Sequence, residues 1–312
     1  MQRLLRLGTA TTVGMYLLLL TGSLVTNTGS ADGCGQSWPF CDGDWSSVAT
    51  FIEVNHRLVT GVLGIMILAL SVGAWRAFGR HREVRLLVIA SLFLLVLQSF
   101  LGAAAVMWGS PPAVMATHFG VSLASFGTVF LLTIRIKALA TGSEEASPSR
   151  GGSARNGLGR FRTLVNVALV MTLLVVYGGA LVRHTSSGLA CLDWPLCNGQ
   201  VFPGFTGAVG LVFIHRLSVV VLTVFVAYMG HQTRPFRRER PGLYNGSIIA
   251  LLLLVAQSLT GWLIVSTRAA VAANMLHAAV LILYAAALLY LAIQATPYGI
   301  KYPGRPLRAV VE

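Results

Sequence analysis

Residues 53–57 read EVNHR and residues 212–216 read VFIHR, and each stretch stands at the start of a long apolar run. The two histidine–arginine pairs are 159 residues apart, and the same interval separates His118 from His277. The chain is therefore a tandem repeat of two halves. Each half carries two histidines in segments long enough to cross a bilayer.

The composition is that of an integral membrane protein. Of the 312 residues, 55% are hydrophobic and 11% are charged, whereas soluble domains carry about 25% charged residues. The net charge of +13 would suit nucleic-acid binding, but the basic residues cluster in short segments between apolar runs, as the positive-inside rule describes. We therefore expect contact with membrane lipid and no nucleic-acid partner.

Eight apolar segments reach the roughly 20 residues that a transmembrane helix needs. They are residues 7–26, 53–75, 86–107, 114–134, 163–183, 209–230, 246–265 and 271–294. The first has the basic start of a signal peptide, but it matches the internal segment 163–183 in the repeat and is expected to be retained. The sequence predicts an all-α, polytopic membrane protein with eight transmembrane helices, arranged as two tandem, pseudo-symmetric four-helix bundles.

The repeat and the basic segments divide the chain into four expected parts. Residues 1–137 form an N-terminal bundle and residues 161–295 a C-terminal bundle. Residues 138–160, rich in Gly, Ser and Arg, form a cytoplasmic linker, and residues 296–312 a cytoplasmic tail. Because each bundle starts inside and has an even number of spans, the repeats are parallel.

The basic residues also orient the chain. Most of the 23 Lys and Arg lie before the first span, after the last, or in every second connection, and such segments stay in the cytoplasm. Both termini are expected to be cytoplasmic, with residues 27–52 and 184–208 outside the plasma membrane.

Each outer segment contains two cysteines. Close cysteine pairs can be disulfides, metal ligands or free thiols, and an oxidising outer compartment favours disulfides. We therefore expect one disulfide in each segment, between Cys34 and Cys41 and between Cys191 and Cys197.

The four repeated histidines are candidate metal ligands. His56 and His118 lie on different helices at a similar depth, as do His215 and His277, so each pair could bind one heme iron from opposite faces. The alternative is a buried histidine that bonds a backbone carbonyl. Zinc usually requires three or four clustered ligands, so two histidines per half disfavour it.

Glu53 breaks the symmetry of the repeat. It lies one helical turn before His56, whereas the matching residue is Val212. Glu53-x-x-His56 resembles half of a di-iron motif, but Val212 argues against such a site. We expect Glu53 to accept a proton or stabilise charge beside one heme. The alternative pairs it with Arg57 in water.

Arg57 and Arg216 directly follow the first histidine of each half. They are candidates to bind heme propionates, and snorkelling to lipid headgroups is the alternative. In the third span of each half, Gln98-Ser99-x-x-Gly102 matches Gln257-Ser258-x-x-Gly261. The small residues there allow close helix approach.

These motifs together resemble the heme A synthase family, in its bacterial type with paired cysteines in the outer loops. The resemblance rests on residues 22–26 (GSLVT), 33–35 (GCG) and 53–57 (EVNHR), on the further histidines and on the Trp-Pro motifs beside each cysteine pair. It extends over nearly the whole chain apart from the linker and the tail.

The resemblance implies an oxidoreductase that converts a methyl group of heme O to the formyl group of heme A for terminal oxidases. It implies a substrate heme at His56 and His118 with Glu53 as the essential acid, and a heme b cofactor at His215 and His277.

The resemblance also implies a functional role for the first cysteine pair and a more structural one for the second. The implied partners are heme O synthase, the terminal oxidase during its assembly and an electron partner such as quinone. Homo-oligomerisation and the oxygen source stay open.

Two other functions stay open from the residues alone. One is a bis-histidine diheme membrane cytochrome for quinol electron transfer, in which the two hemes are equivalent and Glu53 is incidental. The other is a heme carrier without chemistry.

Overall fold

The computed structural model describes residues 1–142 and 152–296, with side chains from residue 157 onward in the second range. The described residues form eight long helices: α1 (Gln2–Asn27), α2 (Val48–Phe78), α3 (Arg82–Met107), α4 (Pro112–Thr141), α5 (Gly152–His184), α6 (Gly207–His231), α7 (Pro241–Ser266) and α8 (Val271–Gln294). Each is long and apolar enough to cross a membrane, so the predicted all-α, eight-span class is confirmed.

Helices are the expected solution for these sequences because the hydrocarbon core offers no hydrogen-bond partners to the backbone. Local signals fix their ends. The Ser47 hydroxyl accepts a hydrogen bond from the Ala49 amide at the start of α2, and proline occupies the first turn of α4 and α7. Large apolar side chains such as Ile65 and Val224 remain exposed on the helix surfaces, which is the expected state of a lipid-facing side chain.

Each half closes on itself. In the first, α1, α2, α3 and α4 contact one another in sequence and α1 also packs on α4. In the second, α5 to α8 repeat this arrangement, with α5 against α8. The two halves meet through α1, α4, α5 and α8. The first core cluster accordingly contains Ile67 and Leu132 together with Val176 and Ile282 of the other half.

The helices extend beyond the predicted apolar runs, most clearly around the predicted linker 138–160. There α4 continues to Thr141 and α5 begins at Gly152, so both ends of that segment are helical. A helix keeps its backbone bonded in the headgroup region too, and apolar length measures only the hydrocarbon thickness. The rest of the linker and residues 297–312 of the tail lie outside the described residues.

Candidate functional site

The four repeated histidines lie in the first half of the even-numbered helices, and therefore at one end of the molecule. His56 is in α2 and His118 in α4, while His215 is in α6 and His277 in α8. His56 and His118 are close enough to interact electrostatically, and so are His215 and His277. The structure thus brings the histidines together in pairs within each half.

Each imidazole packs against a glycine of a neighbouring helix. An ideal Cβ added to that glycine would lie 3.2 Å from the ring of His56 (at Gly22), 3.4 Å from His118 (Gly102), 2.8 Å from His215 (Gly179) and 3.6 Å from His277 (Gly261). The sequence predicts only close helix approach at Gly102 and Gly261. A side chain at Gly179 or Gly22 would therefore crowd the ring, whereas a Cβ at Gly102 or Gly261 would make an ordinary van der Waals contact.

Two of the rings hydrogen-bond to threonine hydroxyls through Nδ1. His56 Nδ1 is 3.1 Å from Thr21 Oγ1 of α1, and His277 Nδ1 is 2.9 Å from Thr260 Oγ1 of α7. Nε2 of His277 also meets the side-chain nitrogen of Gln257 at 2.9 Å. Sequence reasoning missed both threonines, although each directly precedes a glycine on which the ring rests.

The other two rings lie against backbone. Nδ1 of His118 and of His215 is buried without a hydrogen bond of ordinary geometry. His118 faces the backbone of Gln98, and His215 that of Val175. Each half therefore contains one imidazole held by a hydroxyl and one that faces a helix backbone.

Glu53 is buried, with 3% of its surface exposed. One carboxylate oxygen accepts the Cys34 backbone N–H at 2.8 Å, and the other accepts two N–H groups of the Arg57 guanidinium, Nε at 3.1 Å. The pairing of Glu53 with Arg57, which the alternative interpretation placed in water, is thus present, but Glu53 is buried. The outer segment covers it.

Arg57 also donates to the backbone carbonyls of Ser37 at 2.8 Å and Phe40 at 2.9 Å. In the second half, Arg216 donates to the carbonyls of Leu196 and Cys191. Both arginines fasten an outer segment onto the helix that carries a histidine. Their contact with heme propionates stays a prediction.

The outer segments of the two halves share one design. Disulfides join Cys34 to Cys41 and Cys191 to Cys197, each with a Cα–Cα distance of 4.7 Å, which confirms the predicted cysteine pairing. At the position matching Glu53, Val212 packs in an apolar cluster with the second disulfide. The Glu53 carboxylate beside the first disulfide thus corresponds to the apolar Val212 side chain beside the second.

A polar turn completes the second outer segment. The Asp193 carboxylate accepts the backbone N–H groups of Gly199 at 2.7 Å and Asn198 at 2.5 Å. These donors, Gly199 first, hold the pKa of Asp193 below its usual value.

The residues present fit a bound heme. Among the described residues, no three His, Cys, Asp or Glu side chains are clustered as metal ligands, so each half offers an iron two imidazoles. A porphyrin supplies four equatorial nitrogens itself and needs only such axial ligands. The glycines leave room for the rings, and Nδ1 of His118 and of His215 is buried without a hydrogen-bond partner.

Known proteins match nearly the whole chain. Residues 44–293 match the COX15-CtaA family, described as cytochrome oxidase assembly protein. The heme A synthase of Geobacillus kaustophilus is 43% identical over 274 residues, covering 86% of this chain and 84% of the relative. That of Geobacillus thermodenitrificans is 41% identical over 283 residues, covering 89% and 87%.

A more distant relative gives the same result. The heme A synthase of Alkalihalophilus pseudofirmus is 36% identical over 293 residues, covering 92% of this chain and 95% of the relative. The predicted resemblance is therefore confirmed, and the chain belongs to the COX15-CtaA family of cytochrome oxidase assembly proteins.

Proposed function

We propose that this protein is a heme A synthase, an oxidoreductase that converts a methyl group of heme O to the formyl group of heme A for terminal oxidases. The observation that carries the proposal is the buried carboxylate of Glu53 one helical turn from His56, with only Val212 at the matching position. The curated relatives named heme A synthase support the same reading.

The electrons and protons released by this oxidation explain why one half needs more than a heme pocket. Converting –CH3 to –CHO removes four electrons, which a quinone-type partner would accept, and if the oxygen comes from one water it also releases four protons. A site for that reaction needs a group that takes protons and a route for electrons. Glu53 is the acidic side chain next to a repeated histidine, so the N-terminal bundle, 1–137, is the half equipped for the reaction.

We assign the substrate heme to His56 and His118, and a heme b cofactor to His215 and His277. The bound heme b would supply reversible one-electron chemistry. The second bundle, 161–295, has no acidic residue next to either histidine. Its proposed role is therefore to hold two imidazoles between helices and to exclude water from the heme.

Glu53 has a second task. Its contacts with the Cys34 amide and with Arg57 keep the first outer segment closed over the histidine end of the bundle. We infer that Glu53 assists proton removal from the substrate or stabilises positive charge that develops on it.

The proposed orientation in the plasma membrane follows from the distribution of the basic residues. Both termini are placed in the cytoplasm and the disulfide loops outside the plasma membrane, because the basic segments stay inside. Heme O synthase, the assembling terminal oxidase and a quinone-type electron partner are the proposed partners.

The test is Glu53→Gln, expressed in cells that lack their own heme A synthase. Glutamine keeps an oxygen acceptor near the Cys34 amide but removes the charge, so we expect purified protein with normal heme content and at least about 100-fold less heme A in membrane extracts, within the range for lost acid–base groups. Glu83→Gln, an exposed acid at the start of α3, is the control. Normal heme A production by Glu53→Gln would refute the role.

The same extraction separates the other two functions. Heme O and heme A together with heme b support the synthase. Heme b alone would identify an electron-transfer cytochrome, and reversible loading of unmodified heme would identify a carrier. The Glu53–Val212 difference already argues against two equivalent hemes.

A further inference from the structure

The threonine that contacts His56 has its hydroxyl hydrogen already engaged. Thr21 Oγ1 donates to the Leu18 carbonyl at 2.9 Å while lying 3.1 Å from His56 Nδ1. A hydroxyl has one hydrogen and two lone pairs. Thr21 must therefore accept from His56, which places the imidazole hydrogen on Nδ1 and leaves the lone pair on Nε2.

The same arrangement recurs at His277, in a different helix of the other half. Thr260 Oγ1 donates to the Gln257 carbonyl at 2.8 Å and lies 2.9 Å from His277 Nδ1, so it too accepts from the ring. Nε2 of this ring meets the Gln257 side-chain nitrogen at 2.9 Å. With the hydrogen on Nδ1, Nε2 accepts from this nitrogen, so the orientation of the Gln257 amide agrees with the assignment made from Thr260.

Both threonines belong to a Thr-Gly pair on a helix facing the histidine. In Thr21-Gly22 and Thr260-Gly261 the glycine makes room for the ring and the preceding hydroxyl fixes its orientation. The glycines beneath the other two histidines, Gly102 and Gly179, follow Leu101 and Gly178. One such pair therefore exists in each half, on the first helix of one and the third helix of the other.

We propose that Thr21 and Thr260 are positioning residues that select the Nδ1–H tautomer of one axial imidazole in each half and aim its Nε2 lone pair at iron. This rests on the proposed heme-binding function. A hydrogen bond from the second ring nitrogen fixes the orientation of a ligating histidine and raises its basicity. At both rings the hydroxyl lies within hydrogen-bond distance of Nδ1, and the glycine that follows the threonine has no side chain to block this contact.

The experiment replaces each threonine in the full-length protein purified with its native hemes. Thr21→Val and Thr260→Val keep the branched shape and remove the acceptor, whereas Thr21→Ser and Thr260→Ser restore it. Matched controls are Thr11→Val and Thr223→Val, whose hydroxyls bond only to their own helices. The readouts are the rate of heme transfer to excess apomyoglobin and the low-spin ferric electron paramagnetic resonance signal.

We expect each Thr→Val variant to release one heme roughly 10–100-fold faster, as for other lost partners of metal-bound histidines, with a shifted signal for that heme only. The Ser variants and the controls should resemble the unmodified protein. If valine prevents folding, Thr21→Cys and Thr21→Ser form the test pair, since sulfur is a much weaker acceptor of similar size.

Equal heme retention and spectra in the Val, Ser and unmodified proteins would overturn the proposal, as would equal behaviour of the Cys and Ser variants. Such a result leaves the proposed function intact if the unmodified protein still binds two hemes and makes heme A. Absence of heme from the unmodified protein would instead remove the proposed function, and this inference with it.

Discussion

At the scale of single residues, each histidine ring of the candidate site lies against a glycine, which has no side chain. A histidine in lipid is costly unless a partner or ligand satisfies it. The structure provides a glycine for each ring to lie against and a threonine hydroxyl near Nδ1 of His56 and of His277. Small changes beneath the rings should therefore act on heme binding before they act on the fold.

Gly179→Ala tests this directly. Alanine stabilises a helix by up to about 1 kcal/mol relative to glycine, but its Cβ would lie 2.8 Å from Cε1 of His215 and displace the ring. We expect a well-folded protein that lacks most of the heme of the second half, measured as heme per protein by the pyridine hemochrome assay.

The control for this change is Gly159→Ala in the same helix, α5, where an added Cβ meets nothing within 4 Å. It should keep full heme content. Full retention in Gly179→Ala would show that the His215 ring does not depend on this contact.

At the scale of elements, the outer segments are held by arginines that come from the helices below. Arg57 reaches two carbonyls of the first segment and Arg216 two of the second. Cys34 and Cys191 are fully buried. The protection of each disulfide thus depends on an arginine fork in its own half.

Replacing each arginine by lysine should expose one disulfide selectively. Lysine keeps the charge but loses the planar fork, and a hydrogen bond to a charged group contributes about 1.5–3 kcal/mol. We expect Arg57→Lys to speed reduction of Cys34–Cys41 by an external phosphine at least about tenfold, measured by thiol labelling and mass spectrometry.

Arg216→Lys is the matched control and should accelerate only the Cys191–Cys197 pair. If both variants affected both disulfides alike, the outer segments would be coupled as one unit, and the assignment of one arginine to each would be wrong.

At the scale of the whole molecule, the two halves are packed into each other. Their central helices share a core. At the outer end, Arg183 of α5 donates to Asn27 at 2.9 Å and Thr26 at 3.1 Å of α1. Near the middle of α4, Gly127 is the point where Leu289 of α8 approaches. The two halves are therefore packed together around a shared core, and a heme site is proposed in each half.

A cut chain should show this packing. With a protease site inserted between residues 143 and 151, we expect the halves to co-purify in mild detergent after cleavage, because the shared core does not depend on the linker. Gly127→Ile should separate them, since even a Cβ there would lie 2.8 Å from Leu289 Cδ1.

Gly61→Ile is the control, because a Cβ at Gly61 meets nothing within 4 Å. It should leave the halves together. Separation of the halves in the absence of Gly127→Ile would contradict a shared core.

The eight helices, the two halves, the paired histidines and the cysteine pairs could be predicted from the amino-acid sequence. A long apolar segment predicts a transmembrane helix because every backbone N–H and C=O in lipid must be hydrogen-bonded within the protein. The constant interval of 159 residues between matching histidines predicts the two halves. The ends of the helices could not be predicted in this way, as at Thr141 and Gly152, because a helix continues past the hydrocarbon without losing backbone hydrogen bonds.

The surroundings of those residues depend on the packing of helices and loops and could not be predicted from the sequence. This packing buries Glu53 beneath the first disulfide loop instead of leaving it in water, and it brings Thr21 to His56 and Thr260 to His277. Periodicity marks which residues share a face of one helix, but hydroxyl, imidazole and carboxylate partners here come from different helices or loops. Their meeting depends on how helices pack, and that information is not contained in any single segment.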